Sequence, residues 1–259
     1  MAIADGVGGG PGGEIAAAAA VEELATRFFS ATPDGSVEER LADAIRDANT
    51  AVLRAAEASD KPQAASTLVA VAVQGARAVI ANLGDSRAYL VRAGASRQLT
   101  DDHSAGVAHG ITRFVGDPRG VQPDIFVETL QPADRLVLCS DGLTRHVTDP
   151  EIASAAADRP DRAADALVKL ARARGGEDNI TVIVFAARRP VIPRALAGTL
   201  ILALLILVGV AGAFGALLAT PVPASAPSAS PSASASASPS ESPSPSPSPS
   251  VAPTPSASP

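Results

Sequence analysis

Residues 195–219 of this 259-residue chain carry no charged side chain and consist mainly of Leu, Ile, Val, Ala and Gly. At about 1.5 Å per helical residue the stretch spans about 37 Å, more than the ~30 Å hydrocarbon layer of a bilayer. A core helix of a water-soluble domain would show a polar stripe over that length, so the segment reads as one transmembrane helix. Behind it, residues 220–259 hold twelve of the 22 prolines, alternate Ser with Pro and contain a single charge, Glu241. Such a tract buries too little apolar surface to offset its chain entropy and reads as a disordered, polyproline-like tail. Together the two segments confine any packed domain to residues 1–187, which still suffices for one sizeable core.

Arg188, Arg189 and Arg194 crowd the N-terminal side of the apolar segment, and no base follows it. The positive-inside rule then places residues 1–187 in the cytoplasm, 188–194 as a basic juxtamembrane linker, and the tail outside the cell membrane. Ile15–Val21 is bracketed by Glu14 and Glu22 without a preceding basic stretch, so no signal peptide is read there. Gly209, Gly212 and Gly215 could form a helix-pairing face, and a Ser/Pro tract outside a membrane suits a stalk or an O-glycosylation substrate. The net charge of −6 comes without a basic stripe, which argues against nucleic acid as a partner. The only cysteine, Cys139, rules out an internal disulfide; in the run Arg135-Leu-Val-Leu-Cys139 it reads as a buried, inert thiol.

Within residues 1–187 the expected elements are a strand end at Met1–Ala4 and an Ala-rich helix from Glu14 to about Ser30. A second helix runs to about Ser59 behind a Ser36/Glu39 capping box, with Val37, Leu41, Ile45, Ala48 and Val52 at helical spacing. Thr67–Val73 and Arg77–Leu83 form a hairpin, followed by strands at Arg87–Arg92, Asp124–Leu130 and Arg135–Cys139. A short helix starts with Asp149 as N-cap before Pro150, another spans Pro160–Arg174, and Ile180–Ala187 closes the domain as a strand. Helices, consecutive strands, helices and a final strand make an α+β order. That order argues against a dinucleotide site at Gly8-x-Gly10-x-x-Gly13 with Asp34 downstream, because hairpin-linked strands follow where a parallel partner is required, and Pro11 removes a backbone donor.

The chemistry-bearing pattern is a set of aspartates in short loops at strand ends: Asp5-Gly6, Gly84-Asp85-Ser86-Arg87, Ser140-Asp141-Gly142 and Glu177-Asp178-Asn179. One such aspartate is ordinarily a turn-former. Four of them, with no His or Cys cluster nearby, suit a hard divalent cation bound by carboxylates, a backbone carbonyl and water. Two such ions can acidify a water and clamp the oxygens of a displacement at phosphorus.

These residues resemble the metal-dependent Ser/Thr protein phosphatases of type 2C, the PPM family. The resemblance rests on Ile3-Ala-Asp5-Gly-Val-Gly-Gly9, Ser66-Thr67-Leu, Ala81-Asn-Leu-Gly-Asp85-Ser-Arg87-Ala-Tyr89, Leu99-Thr-Asp-Asp-His103, Leu138-Cys-Ser-Asp141-Gly-Leu143-Thr and Gly176-Glu-Asp178-Asn-Ile-Thr-Val182, in that order. It implies an αββα sandwich of two antiparallel sheets flanked by helices, with two Mn or Mg ions at the sheet ends. By matching positions, Asp5 bridges both ions, Asp141 and Asp178 complete the first, the Gly6 carbonyl binds the second, and Asp85 serves a weaker third. Phosphoserine or phosphothreonine is then hydrolysed by a metal-bound hydroxide without a covalent enzyme intermediate.

Several departures accompany the resemblance. The family carries two upstream strands with an Arg-x-x-Asn-(Glu/Gln)-Asp stretch that supplies a phosphate-binding arginine and an acidic second-metal ligand. No such stretch occurs here, so this polypeptide is expected to turn over weakly or not at all and an in-frame upstream extension to hold the motif. Arg145 follows Asp141 by four, where the family usually has a third-metal aspartate. The segment between His103 and Ile111 is short, leaving little of the usual flap, and Val7 stands where eukaryotic relatives have a histidine acid. His103, His109 and His146 are expected to be solvated or packed and not to ligate. Arg113, in Ile111-Thr-Arg-Phe-Val115, is a candidate substrate contact. The resulting expectation is a membrane-anchored Ser/Thr phosphatase, acting on phosphorylated proteins and partnered by a membrane Ser/Thr kinase. The alternatives are a catalytically impaired phosphatase-like binding or regulatory module at the membrane, and a stalk with a cytoplasmic plug.

Overall fold

Strands buried on both faces carry mainly apolar side chains, and the two pairs of strands at the centre of this domain do so between polar residues near their ends. The computed structural model describes residues 1–7, 12–30, 35–105 and 110–187. Contacts divide the chain into Met1–Ile192 and Pro193–Pro259, and every described residue belongs to the first unit. The expected transmembrane helix at 195–219, the linker 188–194 and the tail 220–259 lie outside the described residues, as do Gly8, Gly10, Asp34 and His109. None of the described helices is long and apolar enough to cross a membrane.

The first sheet has the order β1 (Ala2–Ile3), β2 (Leu68–Gln74), β3 (Arg77–Leu83), β8 (Asp124–Thr129), and the second β10 (Val182–Ala186), β9 (Arg135–Cys139), β4 (Arg87–Arg92), β5 (Ala95–Gln98). Every pairing is antiparallel. The strand after the two leading helices thus pairs antiparallel with β1, so no βαβ unit and no dinucleotide crossover forms. A small third pair, β6 (Ser104–Ala105) with β7 (Gly110–Ile111), stands where the flap was expected to be short.

Strand alternation sorts the core into three layers. Ile3, Val69, Val71, Ala78 and Ile80 from the first sheet meet Ala88, Leu90, Leu136 and Leu138 from the second. The opposite face of the first sheet, with Leu68, Ala70, Val79, Ala81 and Leu83, receives α1 (Gly13–Ser30) and α2 (Val37–Ala58) through Ala16, Ala20, Leu24, Ile45, Ala48 and Val52. Tyr89, Val91, Val137 and Cys139, on the outer face of the second sheet, pack against Ile152 of α4 (Asp149–Ala155) and Leu167 of α5 (Pro160–Ala173). The period-two switch of face along each strand therefore yields the expected αββα sandwich. Cys139 is fully buried, and that burial pushes its thiol up to about 12, consistent with an inert role.

Ser36 caps α2 in the expected box: its hydroxyl accepts from Glu39 N–H at 3.2 Å, and its own N–H donates to the Glu39 carboxylate at 2.9 Å. Three local expectations are corrected. The strand β5 forms beyond the Ala93-Gly94 turn, where no strand was expected, because its pairing with β4 completes the second sheet's edge. The N-cap of α4 is Thr148, not Asp149: the Thr148 N–H and hydroxyl donate to Glu151 at 3.0 and 2.8 Å, a capping box displaced by one residue. Asp141-Gly142 is not a loop but the first turn of a short helix, α3 (Asp141–Thr144).

Candidate active site

The four strand-end aspartates come from both sheets. Asp5 follows β1 in the first sheet, and Asp85 lies in the turn that carries the chain from β3 to β4, between sheets. Asp141 opens α3 directly after β9, and Asp178 precedes β10, the neighbour of β9.

Two buried hydroxyls stitch these segments in pairs. The Asp5 N–H donates to Thr67 Oγ1 at 3.2 Å, and the Asp5 carbonyl accepts from Thr67 N–H at 2.8 Å and from the Ser66 hydroxyl at 2.9 Å. Thr67 Oγ1 lies 2.8 Å from Ser86 Oγ, so one threonine links the Asp5 segment to the Asp85 turn. On the other side the Ser140 hydroxyl donates to the Asn179 carbonyl at 3.1 Å and accepts from Thr181 N–H at 3.1 Å. Asp141 and Asp178 are thereby held by the residues next to them. Thr67 was singled out in the sequence only as part of a motif; the part played by Ser140 carries no signal in sequence, since it depends on the β9–β10 pairing.

Close backbone approach requires glycine at two of these places. A Cβ at Gly6 would lie 2.6 Å from the Gly13 backbone at the start of α1, and one at Gly142 would lie 2.3 Å from the Asn179 carbonyl oxygen. The glycine after Asp5 thus lets α1 reach the site, and the glycine after Asp141 lets the Asp178 loop lie against α3.

The cluster is electrostatically coupled. Burial, then the negative charges of Asp141, Asp178 and Asp85, push the Asp5 carboxyl up to about 6. Burial and Asp141 likewise raise Asp85 above the ordinary range, against an opposing pull from Arg145. The Arg145 guanidinium contacts the Asp141 carboxylate and lies 3.4 Å from Asp178. Desolvation opposes its charge, but Asp141, Asp178 and Asp85 outweigh that and raise its pKa. Sequence reading had marked Arg145 only as a departure at a metal position. Its i,i+4 spacing from Asp141 would have signalled an ion pair, had the segment been read as helical.

A hard divalent cation fits this donor set: four carboxylates and a backbone carbonyl, with no thiolate or imidazole among them. The repulsion that raises Asp5 is what a doubly positive ion would relieve. Among the described residues no three acidic side chains converge on one point as they stand, and Asp141 and Asp178 instead face Arg145.

The remaining candidates resolve differently. His103 is buried: its Nδ1 accepts from the Gly84 N–H at 3.1 Å, and its Nε2 lies 2.8 Å from an Asp124 carboxylate oxygen and 2.8 Å from Arg113 Nη1. It therefore packs, as expected, and braces the turn that carries Asp85. Arg113 pairs with Asp124 at 2.8 Å, meets His103 Nε2 at 2.8 Å and donates to the Gln122 carbonyl, so those groups, and not the aspartate cluster, engage it.

The family model for protein phosphatase 2C matches residues 1–179. A Listeria innocua serine/threonine phosphatase, stp, is 34% identical over 206 residues, covering 70% of this chain and 82% of that protein. The crystal structure of the Mycobacterium tuberculosis serine/threonine phosphatase PstP/Ppp superposes with a TM-score of 0.65 at 30% identity, covering 73% of this chain and 88% of that one. The PstP catalytic domain in complex with two manganese ions gives a TM-score of 0.64 at 32% identity, covering 71% and 85%.

Proposed function

This chain belongs to the protein phosphatase 2C family, and from that premise we propose that its four-aspartate cluster is the phosphatase centre of a membrane-anchored enzyme acting on phosphoserine and phosphothreonine. Metal-dependent Ser/Thr phosphatase activity of type 2C, with two Mn or Mg ions per site, is what that membership establishes. The placement of the ions on these residues, and the anchoring, are the proposed parts.

In this reading Asp5, Asp141 and Asp178 would hold the first ion, Asp5 and the Gly6 carbonyl would serve the second, and Asp85 would serve a weaker third. Bound there, the ions supply a water of lowered pKa and a positive clamp on the phosphoryl oxygens. The protein's own contribution is placement. Thr67 holds the Asp5 and Asp85 segments in one register, and Ser140 holds Asp141 against the Asp178 loop. Phosphorylated proteins are the substrates, and a Ser/Thr kinase in the same membrane is the natural source of them.

The observation that carries the assignment is the coupling of Asp5 to Asp141, Asp178 and Asp85, carboxylates from four separate chain segments. It is tested by manganese-dependent hydrolysis of a phosphothreonine peptide. Turnover by Asp5→Asn at the parent rate would sink the reading. The anchor rests on the uncharged segment 195–219 and the arginines before it. It fails if alkaline carbonate extracts the full chain from membranes.

A further inference from the structure

Arg145 is the one cation bonded to the acidic cluster among the described residues: it contacts Asp141, reaches Asp178 at 3.4 Å, and opposes the rise of Asp85. It caps the C-terminus of α3, one turn beyond Asp141, and that helix is held in place by the Ser140–Asn179 hydrogen bond and the Gly142–Asn179 contact. The backbone of Arg145 is therefore fixed to a braced element, while its side chain is 53% exposed. Asp141 and Asp178 are the two carboxylates assigned above to the first ion.

We propose that Arg145 is a built-in competitor for the metal site, a counter-cation that must leave Asp141 and Asp178 before an ion can use them, and that it sets the manganese concentration at which the site loads. The inference rests on the phosphatase-site assignment and deepens it. A guanidinium and an arriving ion need the same carboxylate oxygens, so the ion's net affinity is its intrinsic affinity less the ion pairs it displaces. The same pairs neutralise part of the cluster, so the residue lowers affinity without being a ligand. Solvent screens a half-exposed arginine, which keeps the effect modest.

The experiment is calorimetric titration of MnCl2 into the full chain in detergent micelles, for the parent, Arg145→Gln and Arg145→Lys. Arg145→Gln is expected to bind the first ion about five- to ten-fold more tightly than the parent. Arg145→Lys, which keeps the charge but loses the fork, should fall between them. A gain below threefold in Arg145→Gln, or an equal gain in Arg145→Lys, overturns the competition. Hydrolysis of a phosphopeptide is measured on the same samples. No hydrolysis by parent protein that binds manganese would refute the phosphatase assignment and leave the competition standing. Equal affinities with normal hydrolysis would do the reverse, and no manganese binding at millimolar concentration by either the parent or Arg145→Gln would remove both.

Discussion

Substituting Gly142 by Ala tests whether the contact between α3 and the Asp178 loop matters to the metal site. The added Cβ would lie 2.3 Å from the Asn179 carbonyl oxygen and 3.1 Å from its carbon. To reach the 3.4 Å of ordinary contact, the two segments must part by about 1 Å. Neither partner is the end of a flexible side chain: one is the first turn of a helix and the other is backbone. Alanine gains about 1 kcal/mol over glycine in helix propensity, while overpacking of this kind costs about 1–3 kcal/mol. The net loss of stability is therefore small, about 0–2 kcal/mol. The separation falls between Asp141 and Asp178, and about 1 Å of misplacement in a catalytic constellation can cost about a hundredfold in rate. The expected outcome is a folded protein with a raised manganese requirement and a fall in kcat/KM of about that size. The assay is phosphopeptide hydrolysis over a manganese titration, with urea unfolding alongside. Gly110→Ala is the control, since among the described residues a Cβ there meets nothing within 4 Å. A Gly142→Ala protein with the parent's kcat/KM at the parent's manganese requirement would refute the reasoning.

Asp5 makes stability depend on pH with a definite sign. The folded protein holds this proton up to about pH 6 and the unfolded chain only to about 3.8, so the contribution is complete below 3.8 and is lost as pH rises through 6. Urea midpoints with chelator should therefore fall across that window relative to Asp5→Asn, and saturating manganese should reverse the trend; parallel curves for the two proteins would contradict it. Chelation should abolish phosphopeptide turnover, with recovery on adding MnCl2 and not on adding CaCl2 or NaCl; turnover that persists in chelator would rule out the two-ion assignment. Asn49 is buried in α2, accepts from the Gly116 and Asp117 N–H groups at 2.7 and 3.0 Å, and donates to the Asp117 carbonyl at 3.1 Å. Asn49→Ala leaves those backbone groups unpaired and should destabilise by about 1–3 kcal/mol in urea unfolding; a loss under 0.5 kcal/mol would show that water replaces the side chain.

The aspartates, the order of strands and helices and the α2 capping box could be read from residues because each depends on near neighbours. Short continuous apolar runs mark strands buried on both faces, and Ser36 with Glu39 marks a helix start, whatever lies elsewhere in the chain. The aspartates stood out because four of them recur beside glycine or asparagine at strand ends, and their family resemblance supplied the layer order. The edge strand β5 was missed because Ala95–Gln98 is not apolar; only its partner β4 makes it a strand. The helix at Asp141 was missed because four residues give no periodicity.

By itself, then, the sequence picked out the aspartates as candidates and placed most of the strands and helices, since hydrophobic period and cap chemistry are local. Tertiary structure alone decided that Thr67 joins Asp5 to the Asp85 turn, that Ser140 joins Asp141 to the Asp178 loop, and that Arg145 faces their shared charge. The physical reason is distance along the chain. A carboxylate's pKa, its hydrogen-bond partner and the cation it meets are set within a few ångströms in space, between segments that no local pattern relates.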